Sequence, residues 1–471
     1  MFPNPAICAV ILSSSKLFSS PLQIDQGPGN SQPVNYPGKD PIIPSNSHPL
    51  EFARRLVQLA LCLKQFDAPS AQQFQKHLGE PVPIVAQRFS NVANHYVLSQ
   101  DYLIASLEGI ETLILQTRWY ATVGNFRIAC EIHRRATRIA LSINILKLIE
   151  TDYRAEKIWF HLVYSDRFLS LMLGIPSAST NDAFAHPSRL AINSPDEKME
   201  RIHTLLAGQL ISRNLRIQEA TSEQQKGSLI LHEYKETKRI DDQLKKAARI
   251  MPTNWWRVQS LTNAASDREV LQRTSKLLLQ MHQYFLLVAL HQPYIVPLAS
   301  TGYDSIDHTY SQLAATAACR EMLLRFIIVR DYHRSPSYQA LEGKAFTAAI
   351  TLLFVHFNGH KLGHANFLAH QRPQDLDLVE QTVDLLDSLA TSKRNLNCAS
   401  QSQTLKQFMK IDQEAADGSL FITWNEQQIT GKTKEDMNPQ NCLRLPIPYF
   451  GIVSISPFES PRMCHGAKLH G

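Results

Sequence analysis

Apolar residues in this chain return every three or four positions, the spacing of helices that bury one face. The first stripe runs Phe52, Leu56, Leu59, Leu63 and Phe66, and Asp67-Ala68-Pro69 then breaks it. The pattern predicts a second helix over 82–98, buried through Val85, Phe89, Val92 and Tyr96, and a third over 102–120. A fourth carries Ile128, Ile132, Ala136, Ile139, Ala140 and Ile143 on one face, with Arg127, Arg134, Arg135 and Arg138 elsewhere around it. From 154 to 173 the apolar positions cover much of the circumference, which predicts burial on several sides. Gly174 is placed as a left-handed cap, and Pro176 cannot continue the helix.

After a Ser/Asn/Pro-containing connection over 177–199, helix resumes near Lys198 and, past Gly227, continues to Ile250. Pro252 starts another break, with Trp255-Trp256 following. The segment 270–289 is apolar almost all round and predicts a central helix, which His291-Gln292-Pro293-Tyr294 ends. Further helices are expected over 311–332, 345–357 and 375–390, the last with Val379, Val383, Leu386 and Leu389 on one face. No stretch of the body alternates in twos, so the expected fold is all-α, a large helical bundle or array over 50–390. Residues 1–49, rich in Pro and Ser, read as a flexible, disordered leader, and 391–471 as a mostly irregular C-terminal tail. Within that tail, 445–455 holds two prolines and a β-branched run, which favours an extended, strand-like or docking segment.

Composition changes this picture little. Of 471 residues 44% are hydrophobic and 19% charged, enough for a sizeable core and too apolar for global disorder. The net charge of +6, spread over this length, serves solubility and does not by itself point to nucleic acid. The 7 cysteines form no Cys-x-x-Cys pair and are odd in number, which predicts a reducing intracellular setting. Cys62, Cys130 and Cys319 fall in apolar helical runs, where a thiol acts as a small hydrophobe. No apolar run approaches the ~18 residues of a membrane span. The short patch over 6–12 lacks a cationic flank and reads as non-secretory.

Candidate chemistry is sparse. His356, His360 and His364 recur every four residues, as ligands on one helix face would, but Gly359 and Gly363 intervene and no His-Glu-x-x-His exists; an exposed helix end is expected. Asp241-Asp242 suggests a magnesium-diphosphate site of an all-α cyclase, yet Gln243-Leu244-Lys245 adds no third acid and brings a cation. No phosphate loop, dinucleotide turn or nucleophile elbow is found. Trp119-Tyr120, Gly124, Ala129 and Ala136 imitate part of a helix-pair repeat that fails to recur near Tyr153. The arginines of the fourth helix read as a solvated face rather than a DNA-reading one.

Three linked signatures remain. Ser106-Leu107-Glu108-Gly109 opens a helix that leads through Trp119-Tyr120 and Gly124 to the arginine-rich helix. Trp159-Phe160, Asp166-Arg167 and Gly174-Ile175-Pro176 follow, then Leu290-His291-Gln292-Pro293-Tyr294 and, beyond it, Cys319 in an Ala-rich helix. In this order they make 50–390 resemble the regulatory, or middle homology, domain of fungal zinc-cluster transcription factors. The resemblance marks Glu108, Gly109, Gly124, Arg135, Trp159, Asp166, Arg167, Gly174, Pro176, His291 and Pro293 as structural signature positions, with Asp166-Arg167 as a buried or half-buried structural pair.

The same resemblance implies a nuclear regulator of transcription, not an enzyme, serving secondary metabolism or nutrient use. It implies a small-metabolite effector, in a pocket among the 128–173 and 270–290 helices, and a homo- or heterodimer. One departure matters. Such factors begin with a six-cysteine binuclear zinc cluster, and before residue 50 this chain has Cys8 alone. Zinc is therefore implied by the family only, with no ligands here, and no other cofactor is expected. Either the protein reaches DNA through a partner, as a heterodimerising scaffold, or the gene model lacks a first exon.

Overall fold

The structure, a computed structural model, describes residues 4–14, 43–66, 68–219, 223–295, 308–332, 339–360, 366–393, 396–416, 421–427, 443–448 and 451–458. In chain order the helices are α1 (Pro5–Ser14), α2 (Pro49–Gln65), α3 (Ala68–Leu78), α4 (Val82–Ala93), α5 (Asp101–Ile104) and α6 (Leu107–Thr122). Then come α7 (Phe126–Ser142), α8 (Ile145–Leu148), α9 (Tyr153–Leu173), α10 (Pro187–Ile192), α11 (Pro195–Gln218) and α12 (Glu223–Ala248). The last are α13 (Asp267–His291), α14 (Thr309–Tyr332), α15 (Gln339–His360), α16 (Arg372–Lys393) and α17 (Leu396–Ala416). The all-α expectation holds for the body.

Local chemistry explains most boundaries. Ser106, in the extended region, caps α6, its Oγ accepting the Gly109 N–H at 3.1 Å. Asp152 caps α9 by accepting from Arg154 N at 2.8 Å. Ser194 and Glu197 make a reciprocal capping box on α11. Gly174 closes α9 with φ of +69°, the left-handed cap the sequence predicts.

Two large hydrophobic cores result among the described residues, beside a small cluster of Met199, Met251 and Leu279, and α9 belongs to both large ones. The first gathers α2, α4, α6 and α7 around Leu59, Phe89, Leu113 and Trp119, and takes Ile158, Trp159 and Leu162 from the front of α9. The second gathers α11 to α17 around Leu210, Met281, Phe326 and Phe354, and takes Phe168 and Leu171 from the back of α9. Tyr164, between these two sets, packs against both. The central role expected of 270–289 is confirmed: α13 packs against α11, α12, α14 and α15.

Several local readings are corrected. The Asp67-Ala68-Pro69 break is short, because α3 begins at Ala68, with Pro69 in its first turn, where a missing amide N–H is harmless. A single π-turn, Asn94–Leu98, advances the phase of the chain after α4; it leaves Tyr96 67% exposed and buries Val97 and Leu98 instead. Ile128 likewise lies outside the buried stripe of α7, where Ala129, Cys130 and His133 take the inward positions.

At the N-terminus, α1 packs on α2 and buries Cys8 and Ile11, and the proline-rich stretch 15–42 lies outside the described residues. Beyond 390, α17 packs on α15 and α16 through Leu405 and Phe408. The strands β1 (Phe421–Gln427), β2 (Leu443–Ile447) and β3 (Gly451–Phe458) form an antiparallel sheet in the order β1-β3-β2. The strand-like reading of 445–455 matches β2 and β3, with Leu445 paired to Val453 and Leu445 and Ile447 buried in the second core.

Candidate functional site

The first signature builds a corner and a cleft. A Cβ on Gly109 would lie 2.1 Å from the carbonyl oxygen of Ile104, so only glycine lets α6 start against the end of α5. One residue earlier, Glu108 accepts from Arg154 Nη1 at 2.7 Å. One turn along α6, buried Glu111 accepts both Nε and Nη2 of Arg154 at 2.9 Å and meets Arg54 of α2 at 3.0 Å. Glu111, ahead of Glu108, holds the Arg154 guanidinium above its ordinary pKa. The Glu108 carboxyl is raised by burial but lowered by more through its backbone bond and Arg154, and ends below its usual value. Between the start of α2 and residues 102–108 opens a half-enclosed cleft of about 610 Å³, with Arg54, Arg55, His48, Ser106 and Glu108 in its wall.

The turn that follows is fixed by Gly124, at φ +83°, and by Asn125, whose amide donates to Tyr120 O at 2.8 Å. Three of the four arginines of α7 meet partners within the fold. Arg135 binds Asp101 at 2.6 and 2.9 Å and reaches the Leu98 carbonyl, Arg138 lies 3.9 Å from Asp101, and Arg134 donates to the Pro176 carbonyl.

In the second signature, Trp159 is core, 2% exposed. Asp166 and Arg167 are both buried, but each grips the following loop rather than the other. Asp166 accepts the Ala178 N–H at 2.6 Å and lies 3.8 Å from Arg134. Arg167 donates to Thr204 O at 2.9 Å and Asp182 at 2.6 Å, and lies over the Phe184 ring at 5.3 Å. A Cβ on Gly208 would come within 2.8 Å of its guanidinium carbon. Burial raises the Asp166 carboxyl pKa and lowers that of the neighbouring His133 imidazole, which donates to Leu162 O at 2.8 Å.

The third signature ends α13. Pro293 is buried in a 3₁₀ turn, and Arg213 donates to the Leu290 carbonyl at 2.7 Å, satisfying the helix end. His291 bonds Ser311 at 3.1 Å and lies 3.6 Å from Asp241. Asp241 also binds Lys245 at 2.8 Å and Tyr310, and these partners overcome burial to pull its carboxyl down to about 2. Asp242 is exposed and lies 3.5 Å from the same Lys245, so the pair is met by a cation of its own helix.

His356 and His360 are not an exposed helix end. Each meets a buried carboxylate that an arginine also binds: His356 with Asp375 at 2.6 Å beside Arg320, and His360 with Asp412 at 2.8 Å beside Arg372. His364 lies outside the described residues. Among the described residues no group of three or more metal-binding side chains converges. No helix among them is long and apolar enough to cross a membrane.

At the junction of the 128–173 and 270–290 helices, where a pocket was expected, aromatic and basic side chains meet. His282 stacks on Phe168 with ring centroids 4.6 Å apart and bonds Tyr164 at 2.9 Å, and Lys344 lies over Phe168 at 5.0 Å and Phe285 at 5.3 Å. Sequence reasoning passed over Arg54 and Lys344 and gave Glu111 and Arg154 no role of their own. Only a charged residue inside an apolar run, as Glu111 is between Ile110 and Leu113, could have hinted at them.

No family model matches this chain, and no solved structure does. Curated relatives do. It is similar to a dehydrocurvularin biosynthesis regulator of Alternaria cinerariae, 29% identical over 420 residues, which is 87% of this chain and 53% of the relative. A dehydrocurvularin biosynthesis regulator of Aspergillus terreus is 28% identical over 428 residues, 87% of this chain and 56% of the relative. Transcription factor sdnS of Sordaria araneosa is 27% identical over 439 residues, 88% and 53% of the two chains. The chain thus spans about half the length of the curated relatives it matches.

Proposed function

We propose that this chain is the regulatory body of a pathway-specific transcription regulator of secondary metabolism, of the fungal zinc-cluster type, acting in the nucleus and not as an enzyme. The observation that carries this reading is the similarity across 87% of the chain to relatives named as biosynthesis regulators. The fold supports it: two cores joined by one helix suit a body that changes state when an effector or partner binds one arrangement better than another. At the signatures Asp166 is buried and held by a backbone amide, and Glu108, in the wall of the cleft, is already bound by Arg154, as structural groups are. DNA contact is assigned to a separate module or to a partner protein, since this chain carries no Cys-x-x-Cys pair.

Deleting the gene and profiling transcripts tests the proposal. The expected result is altered expression of one set of biosynthetic genes; an unchanged transcriptome in every growth condition would overturn it. A second reading is a scaffold that heterodimerises with a DNA-binding factor. Direct, salt-sensitive DNA binding by the purified chain would remove it.

A further inference from the structure

We infer that the cleft between α2 and the α5–α6 corner binds a small, mostly apolar molecule that carries one carboxylate. This deepens the regulatory reading and rests on it only in treating the occupant as an effector. At about 610 Å³ the cleft has the size of a small-molecule site. Leu50, Leu103 and Ala105 supply apolar wall, and Arg54 and Arg55 the cationic part.

Of the acids in the wall, Glu108 is already bound by Arg154. Arg54 uses Nη2 on Glu111, while its buried Nε has no acceptor. A carboxylate is the group whose geometry fits a guanidinium edge, and burial of the donor makes such a bond worth more than at the surface. A doubly charged phosphate is a poorer match, because Glu51 and Glu108 stand in the same wall.

The signature residues acquire a purpose in this arrangement. Gly109 sets the corner that forms one side, and Ser106 and Glu108 line it. Behind the wall, Glu111 is shared between Arg54 and Arg154. A ligand carboxylate on Arg54 competes with Glu111, and the rearranged charge falls directly on Arg154, in the first turn of the helix common to both cores.

The test is isothermal titration of the purified full chain with 2-naphthoate and with its uncharged analogue 2-naphthamide. Naphthoate should bind once per chain and at least tenfold more tightly than the amide. Ala105→Trp, at an exposed position in the cleft wall, should weaken both by more than tenfold. Arg54→Gln should remove the preference for the charged probe. Absence of naphthoate binding, equal affinity for the two probes, or binding indifferent to Ala105→Trp would each overturn the inference. Should Arg54→Gln fail to fold, the other two comparisons still decide. Failed titration with altered transcripts in the deletion strain removes the cleft alone; normal titration with unchanged transcripts removes the regulatory role alone.

Discussion

A methyl group at position 109 has nowhere to go, because the atoms it would strike are backbone atoms of Ile104 rather than a side chain that can turn aside. Gly109→Ala should therefore destabilise the protein by about 2–4 kcal/mol, read from urea unfolding, as overpacking against fixed backbone does. Lys344 makes the opposite prediction. It is 4% exposed, among the described residues it makes no hydrogen bond or ion pair, and burial pulls its ammonium down to about 7. The unfolded chain keeps an ordinary lysine, so the penalty is complete below about pH 7 and fades as pH rises toward 10.5. Lys344→Met should raise stability by about 1–3 kcal/mol at pH 6 and by clearly less at pH 9. Equal gains at the two pH values would refute the account. Neither residue's role follows from spacing: Ser106-Leu107-Glu108-Gly109 is visible as a motif, but its partner Ile104 and the aromatic bed of Lys344 are set by folding.

Elements were legible where one face is strongly apolar and obscure where burial is thin. Helices α2, α9, α13 and α16 follow their stripes closely. Helix α3 escaped because Pro69 looks like a stop when it is a start, and α17 because its Ser- and Gln-rich surface masks a seam of Cys398, Leu405 and Phe408. The π-turn after α4 defeated a reading by strict periodicity. At the junctions between elements, electrostatics takes over from pattern. Asp241 ties α12 to α13 and α14 through His291, Lys245 and Tyr310, with its carboxyl held at about 2 against an ordinary 3.8. A carboxyl depressed on folding contributes stability above its unfolded pKa and loses it as pH falls through the folded one. Acid unfolding followed by circular dichroism should thus contain a component between about pH 4 and 2 that Asp241→Asn removes, with a loss of about 1–2 kcal/mol at neutral pH.

At the scale of the molecule, the all-α class and the helical body were readable from periodicity, whereas the division into two cores was not. No break in composition separates them, because the seam runs through the middle of α9. Sharing that helix should make the halves unfold together. Phe168→Ala, a cavity in the second core worth about 3–5 kcal/mol, should also speed the labelling of Cys62, which is fully buried in the first. Unchanged Cys62 labelling would mean that the halves open independently.

Asn397, at the start of α17, donates from Nδ2 to the carbonyl of Gly124 at 2.9 Å, so the late chain fastens the turn between two early helices. A polypeptide stopped after α16 would give up that clasp and, with it, the apolar lid that Leu405 and Phe408 place over α15. Anyone trimming this protein for expression should carry the cut beyond residue 416.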